Sequence, residues 1–169
     1  MMITFQLTQR IDYPLDKTFA FLSNLTNMPR WNYFIQRVTK LTEGPVTIGT
    51  RFEQKRPRDL FQIRVEEFAP PHHVTFRIQP PGPDVQIRFE LFAVNLQTEI
   101  QYSWQLDVQH YSVLKYIPAG GFKKWILSFV SKQIHARTKP AVAQNFAKLK
   151  TLLETGEVVL QDGRQMTIG

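Results

Sequence analysis

The chain has 169 residues, a length typical of one domain that buries roughly 70% of the surface of its unfolded chain. Its hydrophobic fraction of 43% and charged fraction of 21% are those of a globular protein. The absence of cysteine excludes disulfides, thiolate metal sites and cysteine nucleophiles. The net charge of +7 is scattered in ones and twos, so we interpret it as a solvated basic surface and expect no nucleic-acid partner.

The start of the chain lacks the basic residues and the continuous apolar stretch of a secretory signal. No window approaches the ~18 apolar residues of a membrane span, so we expect a cytoplasmic protein. We predict one domain over residues 1–156 and a tail over residues 157–169. The tail has short apolar runs around an Asp162-Gly163 turn, which leaves a small hairpin and disorder open, with disorder or loose packing favoured.

Apolar and polar residues alternate from residue 3 to residue 11, which predicts a half-buried strand. Pro14 then starts a short helix, and a second short helix is predicted over residues 25–31. Alternation resumes in further predicted strands at residues 35–41, 49–54, 61–66, 74–78, 85–91 and 99–108. The turns between them are short, so the strands are expected to form an antiparallel meander. The adjacent residues Glu66-Glu67 indicate a bulge.

One face of the predicted sheet is apolar and rich in rings: Phe61, Ile63, Val65, Phe76, Ile78, Val85, Ile87, Phe89, Leu91, Tyr102 and Trp104. Only the C-terminal segment is long enough to cover it, and we predict a helix there over residues 122–154. Its apolar stripe consists of Leu127, Val130, Ile134, Thr138, Val142, Phe146, Leu149 and Leu153. Pro140 is expected to kink or divide this helix near Thr138, because proline removes one backbone hydrogen bond.

Three motifs occur in a fixed order along the chain. Residues 13–24 contain Pro14, Phe19 and Leu22, residues 27–32 contain Pro29 and Trp31, and residues 49–52 read Gly-Thr-Arg-Phe. In this order they resemble the START-like helix-grip superfamily (SRPBCC), which includes polyketide cyclase/dehydrase-like and lipid-transfer members. The resemblance spans residues 3–154 and implies an α+β helix-grip fold, with a curved antiparallel sheet wrapped around the long C-terminal helix.

The resemblance also implies a cavity between sheet and helix that holds a bulky apolar molecule such as a lipid, an isoprenoid or a polyketide. By position, the sheet side would contribute Trp31, Phe52, Phe61, Phe76, Phe89, Tyr102 and Trp104, and the helix side Leu127, Ser131, Ile134, His135 and Thr138. The long connection from His110 to Gly121 is a candidate mouth or lid.

No group of residues in the sequence identifies a reaction, so we assign no catalytic residues. We expect binding or transfer of a hydrophobic small molecule, without a cofactor. The alternative is a cyclase/dehydratase-type enzyme in which His135, Tyr102 or Tyr116 moves a proton. The adjacent pair His72-His73 would point in opposite directions, so we expect no metal site.

Residues 122–132 combine rings and aliphatic side chains with flanking lysines, which suits transient contact with an anionic membrane surface, with Trp125 at headgroup depth. The other interpretation, which we favour on sequence alone, is an ordinary amphipathic helix with its apolar side buried against the sheet. The sequence does not set the oligomeric state.

Overall fold

A computed structural model of the chain describes residues 2–108 and 120–169. The strands are β1 (Met2–Ile11), β2 (Arg37–Lys40), β3 (Arg51–Lys55), β4 (Leu60–Ala69), β5 (His73–Ile78), β6 (Asp84–Val94), β7 (Gln97–Asp107), β8 (Glu157–Val159) and β9 (Gln165–Thr167). The helices are α1 (Leu15–Ser23), a 3-10 helix (Leu25–Arg30) and α2 (Gly121–Thr155). Nearly all of the candidate mouth or lid, including Tyr116, lies outside the described residues.

The first seven strands form one antiparallel sheet in the order β1-β7-β6-β5-β4-β3-β2. Its apolar face packs against α1, the 3-10 helix and α2, and these elements share one hydrophobic core. This arrangement is the α+β helix-grip fold and confirms the predicted fold class.

A bulge in β4 shifts the register between Val65 and Glu67, where the sequence indicated one. Glu66 accepts a hydrogen bond from Arg77 at 2.9 Å, and Glu67 accepts one from Thr75 at 2.8 Å. Thr75 and Arg77 lie on the face of β5 opposite to buried Phe76. The extra residue therefore places both carboxylates on the outer face of the sheet, away from the core.

The helix α2 contains Pro140 but runs from Gly121 to Thr155 without a break, so the predicted division near Thr138 does not occur. Its two parts pack differently. The C-terminal half (residues 140–155) buries Phe146, Leu149, Leu152 and Leu153 in the main core. In the N-terminal half (residues 121–139), Leu127 and Ile134 are only partly buried, and they contact a smaller cluster at one end of the sheet.

The tail forms the hairpin β8–β9, rather than the disorder that the sequence favoured. Val158 and Leu160 are buried in the main core. The guanidinium of Arg30 donates a hydrogen bond to the carbonyl of Ile168 at 2.6 Å, which fastens the tail to the 3-10 helix. These contacts join residues that are distant in sequence, so a local pattern of residues does not predict them.

Candidate functional site

The deep end of the space between sheet and helix is filled by rings around Phe146 of α2. Its ring centroid lies 5.1 Å from that of Tyr102, 5.5 Å from Trp31 and 6.3 Å from Phe89. On the sheet side, Phe76 extends this cluster by an edge contact with Phe89 at 6.3 Å. Because edge and tilted contacts of this kind are favourable, the deep end is a packed core rather than an open chamber.

Tyr102 carries the one hydroxyl group in this ring cluster. Burial raises the pKa of the phenol above its ordinary value of 10.0, because the charged form would lose its hydration. Burial is the cause of this shift, and no charged or hydrogen-bonded group adds to it. At neutral pH the hydroxyl is therefore protonated and able to donate to an oxygen atom brought near it.

At the other end of the inner face, Ile3, Val85, Leu106 and Val108 form a second buried cluster, and the side chains around it are less well covered. Ile78, Ile87 and Trp104 lie on the apolar face of their strands but are only partly buried there. On the helix side they are matched by Leu127 and Ile134, which are also partly buried. Solvent therefore reaches apolar side chains of both the sheet and α2 along their junction, which we call the groove, and we call this end of the inner face the open end.

A small void lies between the sheet and the 3-10 helix, with a volume of about 10 Å³. It is lined by Leu25, Met28, Gln54, Ile63, Phe76, Ile78, Val85, Ile87 and Phe89. A void of this size is near the lower limit for one water molecule, whereas ligand pockets measure roughly 300–1,000 Å³. The predicted ligand-sized chamber is therefore closed at this position, because the surrounding rings occupy the space.

A larger cleft of about 880 Å³ lies where the β3–β4 and β5–β6 connections meet. It is lined by Arg56, Asp59, Phe61, Arg64, Glu66, Arg77, Ile78, Gln79, Pro80, Pro81, Gly82, Pro83 and Asp84. Its arginines and carboxylates are equal in number, and Arg77 bridges Glu66 at 2.9 Å and Asp84 at 2.5 Å. The formal charges of its lining therefore cancel. Ile78 lines both this cleft and the small void, so the two spaces adjoin.

The structure separates the predicted lining residues into three groups. Trp31, Phe52, Phe76, Phe89 and Tyr102 are buried, and Phe61, Trp104, Leu127, Ser131, Ile134 and Thr138 are partly buried. His135 is exposed as a residue, although its ring meets the Phe5 ring edge-on at 6.5 Å. Of the second group, Trp104, Leu127 and Ile134 lie at the groove and Phe61 lines the larger cleft, whereas His135 lies at the margin of the groove beside Phe5.

Phe5 belongs to the same wall, and the sequence analysis did not assign it to the site. Its ring stacks on Trp104 at 5.1 Å and lies 6.1 Å from Tyr102. The sequence pattern could have identified Phe5, because it lies on the apolar face of the alternating first strand. Antiparallel pairing of β1 with β7 then places it directly opposite Trp104.

The two adjacent histidines have separate partners. His72 Nδ1 lies 3.2 Å from the carbonyl of Leu91, and His73 Nε2 lies 3.5 Å from a carboxylate oxygen of Glu67. Over residues 2–108 and 120–169, no three histidine, aspartate or glutamate side chains are grouped closely enough to hold a metal ion.

The family model described as polyketide cyclase / dehydrase and lipid transport matches residues 2–154. The chain belongs to this family. No curated protein sequence matches this family member. In the described parts of the chain, no helix has the length and hydrophobicity needed to cross a bilayer.

Solved structures share the fold of this chain. The solution structure of the Aha1 dimer from Colwellia psychrerythraea is 17% identical with a TM-score of 0.60, covering 91% of this chain and 98% of that chain. DynU16, a putative protein in the dynemicin biosynthetic locus, is 16% identical with a TM-score of 0.63, covering 91% of this chain and 48% of that chain. This chain thus spans about half of DynU16.

Proposed function

We propose that the protein binds and carries a hydrophobic small molecule, such as a lipid, an isoprenoid or a polyketide-like compound, in the cytoplasm. The observation that carries the proposal is the open end, where solvent reaches apolar residues of the sheet and of α2 along their junction. Membership of a polyketide cyclase / dehydrase and lipid transport family supports the same class of ligand. Displacing water from such surfaces is the main source of affinity for an apolar guest.

Room for the ligand comes from movement of the N-terminal half of α2. The C-terminal half is anchored by Phe146 and Leu149 in the main core, whereas the N-terminal half rests on partly buried residues such as Leu127 and Ile134. Pro140 stands at the boundary and lacks the backbone N–H that would bond to the preceding turn. Bending there separates the helix from Trp104 and leaves the deep ring cluster intact.

The energy required for this movement is modest. Fully burying a leucine or isoleucine side chain contributes about 1.5–3 kcal/mol, and Leu127 and Ile134 are only partly buried. A ligand that covers Ile87 and Trp104 replaces the contacts that the helix gives up. Tyr102, at the inner limit of the groove, offers the hydroxyl that orients a ligand oxygen.

The test measures uptake of a hydrophobic guest. Native mass spectrometry of gently purified protein should show a bound apolar molecule, and the emptied protein should take up Nile red, an uncharged fluorescent probe. Ile87→Asp places a carboxylate in the groove and should abolish uptake. Phe92→Asp is the matched control, because Phe92 lies exposed on the same strand and should leave uptake unchanged. A wild-type protein that is folded, empty and unable to take up Nile red would disprove the proposal.

A second candidate function is a cyclase or dehydratase, and the protonated phenol of Tyr102 favours it. The raised pKa prevents Tyr102 from acting as a base near neutral pH, but it allows the hydroxyl to donate to an oxygen that becomes negative in a transition state. Tyr102→Phe should then abolish turnover of a polyketide substrate while binding persists. If the variant turns over and binds like the wild type, Tyr102 only packs and orients.

A further inference from the structure

Three rings are exposed on the N-terminal half of α2. Phe122, Trp125 and Phe129 expose 65%, 64% and 54% of their surfaces. Their ring centroids are 6.0 Å and 6.2 Å apart in sequence order, with interplanar angles of 17° and 20°. The rings therefore form one continuous apolar strip, which we call the ring strip, rather than isolated exposed side chains.

The ring strip is not the face of α2 that covers the sheet. With about 3.6 residues per turn, its members lie roughly opposite to Leu127 and Ile134, which pack towards the sheet. The sequence pattern favours burial of this apolar segment against the sheet, but a single helix can direct only one side there. The N-terminal half of α2 therefore has two apolar faces, and the outer one is exposed.

The charged side chains of this part of α2 all have one sign. From Gly121 to Leu153 the helix contains no aspartate or glutamate. The same N-terminal half carries Lys123, Lys124, Lys132, Arg137 and Lys139. An exposed aromatic strip with only cationic neighbours matches a surface that is apolar inside and negatively charged at its boundary.

We propose that the ring strip docks the protein on an anionic lipid bilayer, with α2 lying in the plane of the membrane. The rings insert at headgroup depth, where Trp125 has both an apolar body and an N–H donor. The lysine side chains extend to the lipid phosphates and carboxylates. This inference does not depend on the ligand, although docking through the same half of α2 also brings the open end close to the membrane.

The charge pattern argues against a second copy as the occupant of this face. A twofold contact between two ring strips would bring Lys124 and Lys132 of each copy close to lysines of the other. Like charges brought together at an interface oppose association. A bilayer containing phosphatidylserine supplies the opposite sign over its whole surface.

The experiment is co-sedimentation of the full chain with vesicles of phosphatidylcholine, with or without phosphatidylserine. We expect binding to the phosphatidylserine vesicles that is at least about tenfold tighter than to phosphatidylcholine alone, because each lysine near the surface adds attraction. Binding should weaken as salt is added. Tryptophan emission should shift to the blue on binding, and this shift should be lost in Trp125→Phe, because Trp125 is 64% exposed whereas Trp31 is buried and Trp104 is partly buried.

Two variants test the rings and the neighbouring lysines separately. Substituting Phe122, Trp125 and Phe129 by serine should remove most vesicle binding, because the inserted apolar surface is lost. Lys124→Gln with Lys132→Gln should weaken binding to phosphatidylserine vesicles about tenfold or more and leave weak binding to neutral vesicles unchanged. Leu96→Ser is the matched control, because Leu96 is 92% exposed between β6 and β7 and should have no effect.

Three results would overturn the proposal: no vesicle binding by the wild type, equal binding to neutral and anionic vesicles, or full binding after the rings are replaced. Analytical sedimentation of the protein without lipid tests whether a second copy of the chain covers the ring strip instead. A dimer that disappears in the triple serine variant, without vesicle binding, would assign the strip to a second copy. Because all substituted side chains are exposed, melting temperatures near that of the wild type should show that the variants fold.

Discussion

The ring of Phe146 on α2 lies 5.1 Å from the ring of Tyr102 on β7, tilted by 59°. This contact marks the inner limit of the groove. On one side of it, Trp31 and Phe89 complete a packed core. On the other side, Trp104 and Leu127 are only partly buried.

We expect Phe146→Ala to lower the free energy of unfolding by about 3–5 kcal/mol, because it removes a buried ring and leaves a cavity. The cavity should also admit a small apolar probe such as benzene next to Tyr102, which makes the variant more stable in its presence. Urea unfolding with and without benzene measures both effects. Phe92→Ala, at a partly exposed position, should change stability by less than about 1 kcal/mol and gain nothing from benzene.

The raised pKa of Tyr102 predicts a dependence of stability on alkaline pH. Because the folded-state pKa lies above the ordinary value of 10.0, the unfolded chain loses this proton first as the pH rises. The stability from the protonated phenol is therefore fully present below about pH 10 and decreases above it. Tyr102→Phe should reduce the alkaline loss of stability, measured by unfolding from about pH 8 to about pH 11. Identical pH profiles for both proteins would contradict the assignment.

Asn145 on α2 is buried and joins three parts of the chain. Its amide nitrogen donates to Asn32 Oδ1 at 3.1 Å, and its Oδ1 accepts from Gln161 at 3.1 Å. Asn145→Ala should lower the free energy of unfolding by about 1–3 kcal/mol, because both partners lose a hydrogen bond. Amide exchange in β8–β9 should become faster. Gln144→Ala, which changes the exposed neighbouring residue, is the control and should alter neither quantity.

Glu154 links the C-terminal end of α2 to the end of β1. Desolvation raises its pKa, but hydrogen bonds from the backbone N–H of Asp12 at 2.8 Å and from Lys150 at 2.6 Å outweigh this and lower the pKa below 4.5. Its stabilising effect is therefore present above about pH 4.5 and is lost as the pH falls below the folded-state pKa. Glu154→Gln should destabilise the protein at pH 7 and make little difference at about pH 3. Urea unfolding of the wild type and the variant at about pH 7 and about pH 3 measures this difference, and an equal loss of stability at the two pH values would contradict the role of Glu154.

The strands followed from the sequence because alternation reports which side of a strand is buried. The predicted strand at residues 85–91 lies within β6 (Asp84–Val94), and the bulge at Glu66-Glu67 occurs where two acidic residues interrupt the alternation. This pattern depends on the local period of two, which any half-covered sheet imposes. The fold class was therefore predictable without knowledge of the long-range contacts.

The site was less predictable because periodicity shows the face on which a side chain lies, but not how closely two faces approach. Phe146 belonged to the predicted helix stripe, yet only its contacts with Trp31 and Tyr102 show that it fills the deep end. Spacing likewise placed His135 beside the stripe, where it is exposed. Exposure of Trp125 depends on how α2 is rotated against the sheet, which the sequence does not determine.

The hydrogen bond from Arg30 to Ile168 connects residues 138 positions apart. Closing a loop of this length is entropically unfavourable until most of the intervening chain has condensed. Attachment of β8–β9 should therefore be a late kinetic event, following a transient species whose sheet is already assembled. In pulse-labelling experiments during refolding, amides of β6 and β7 should gain protection before those of the terminal hairpin.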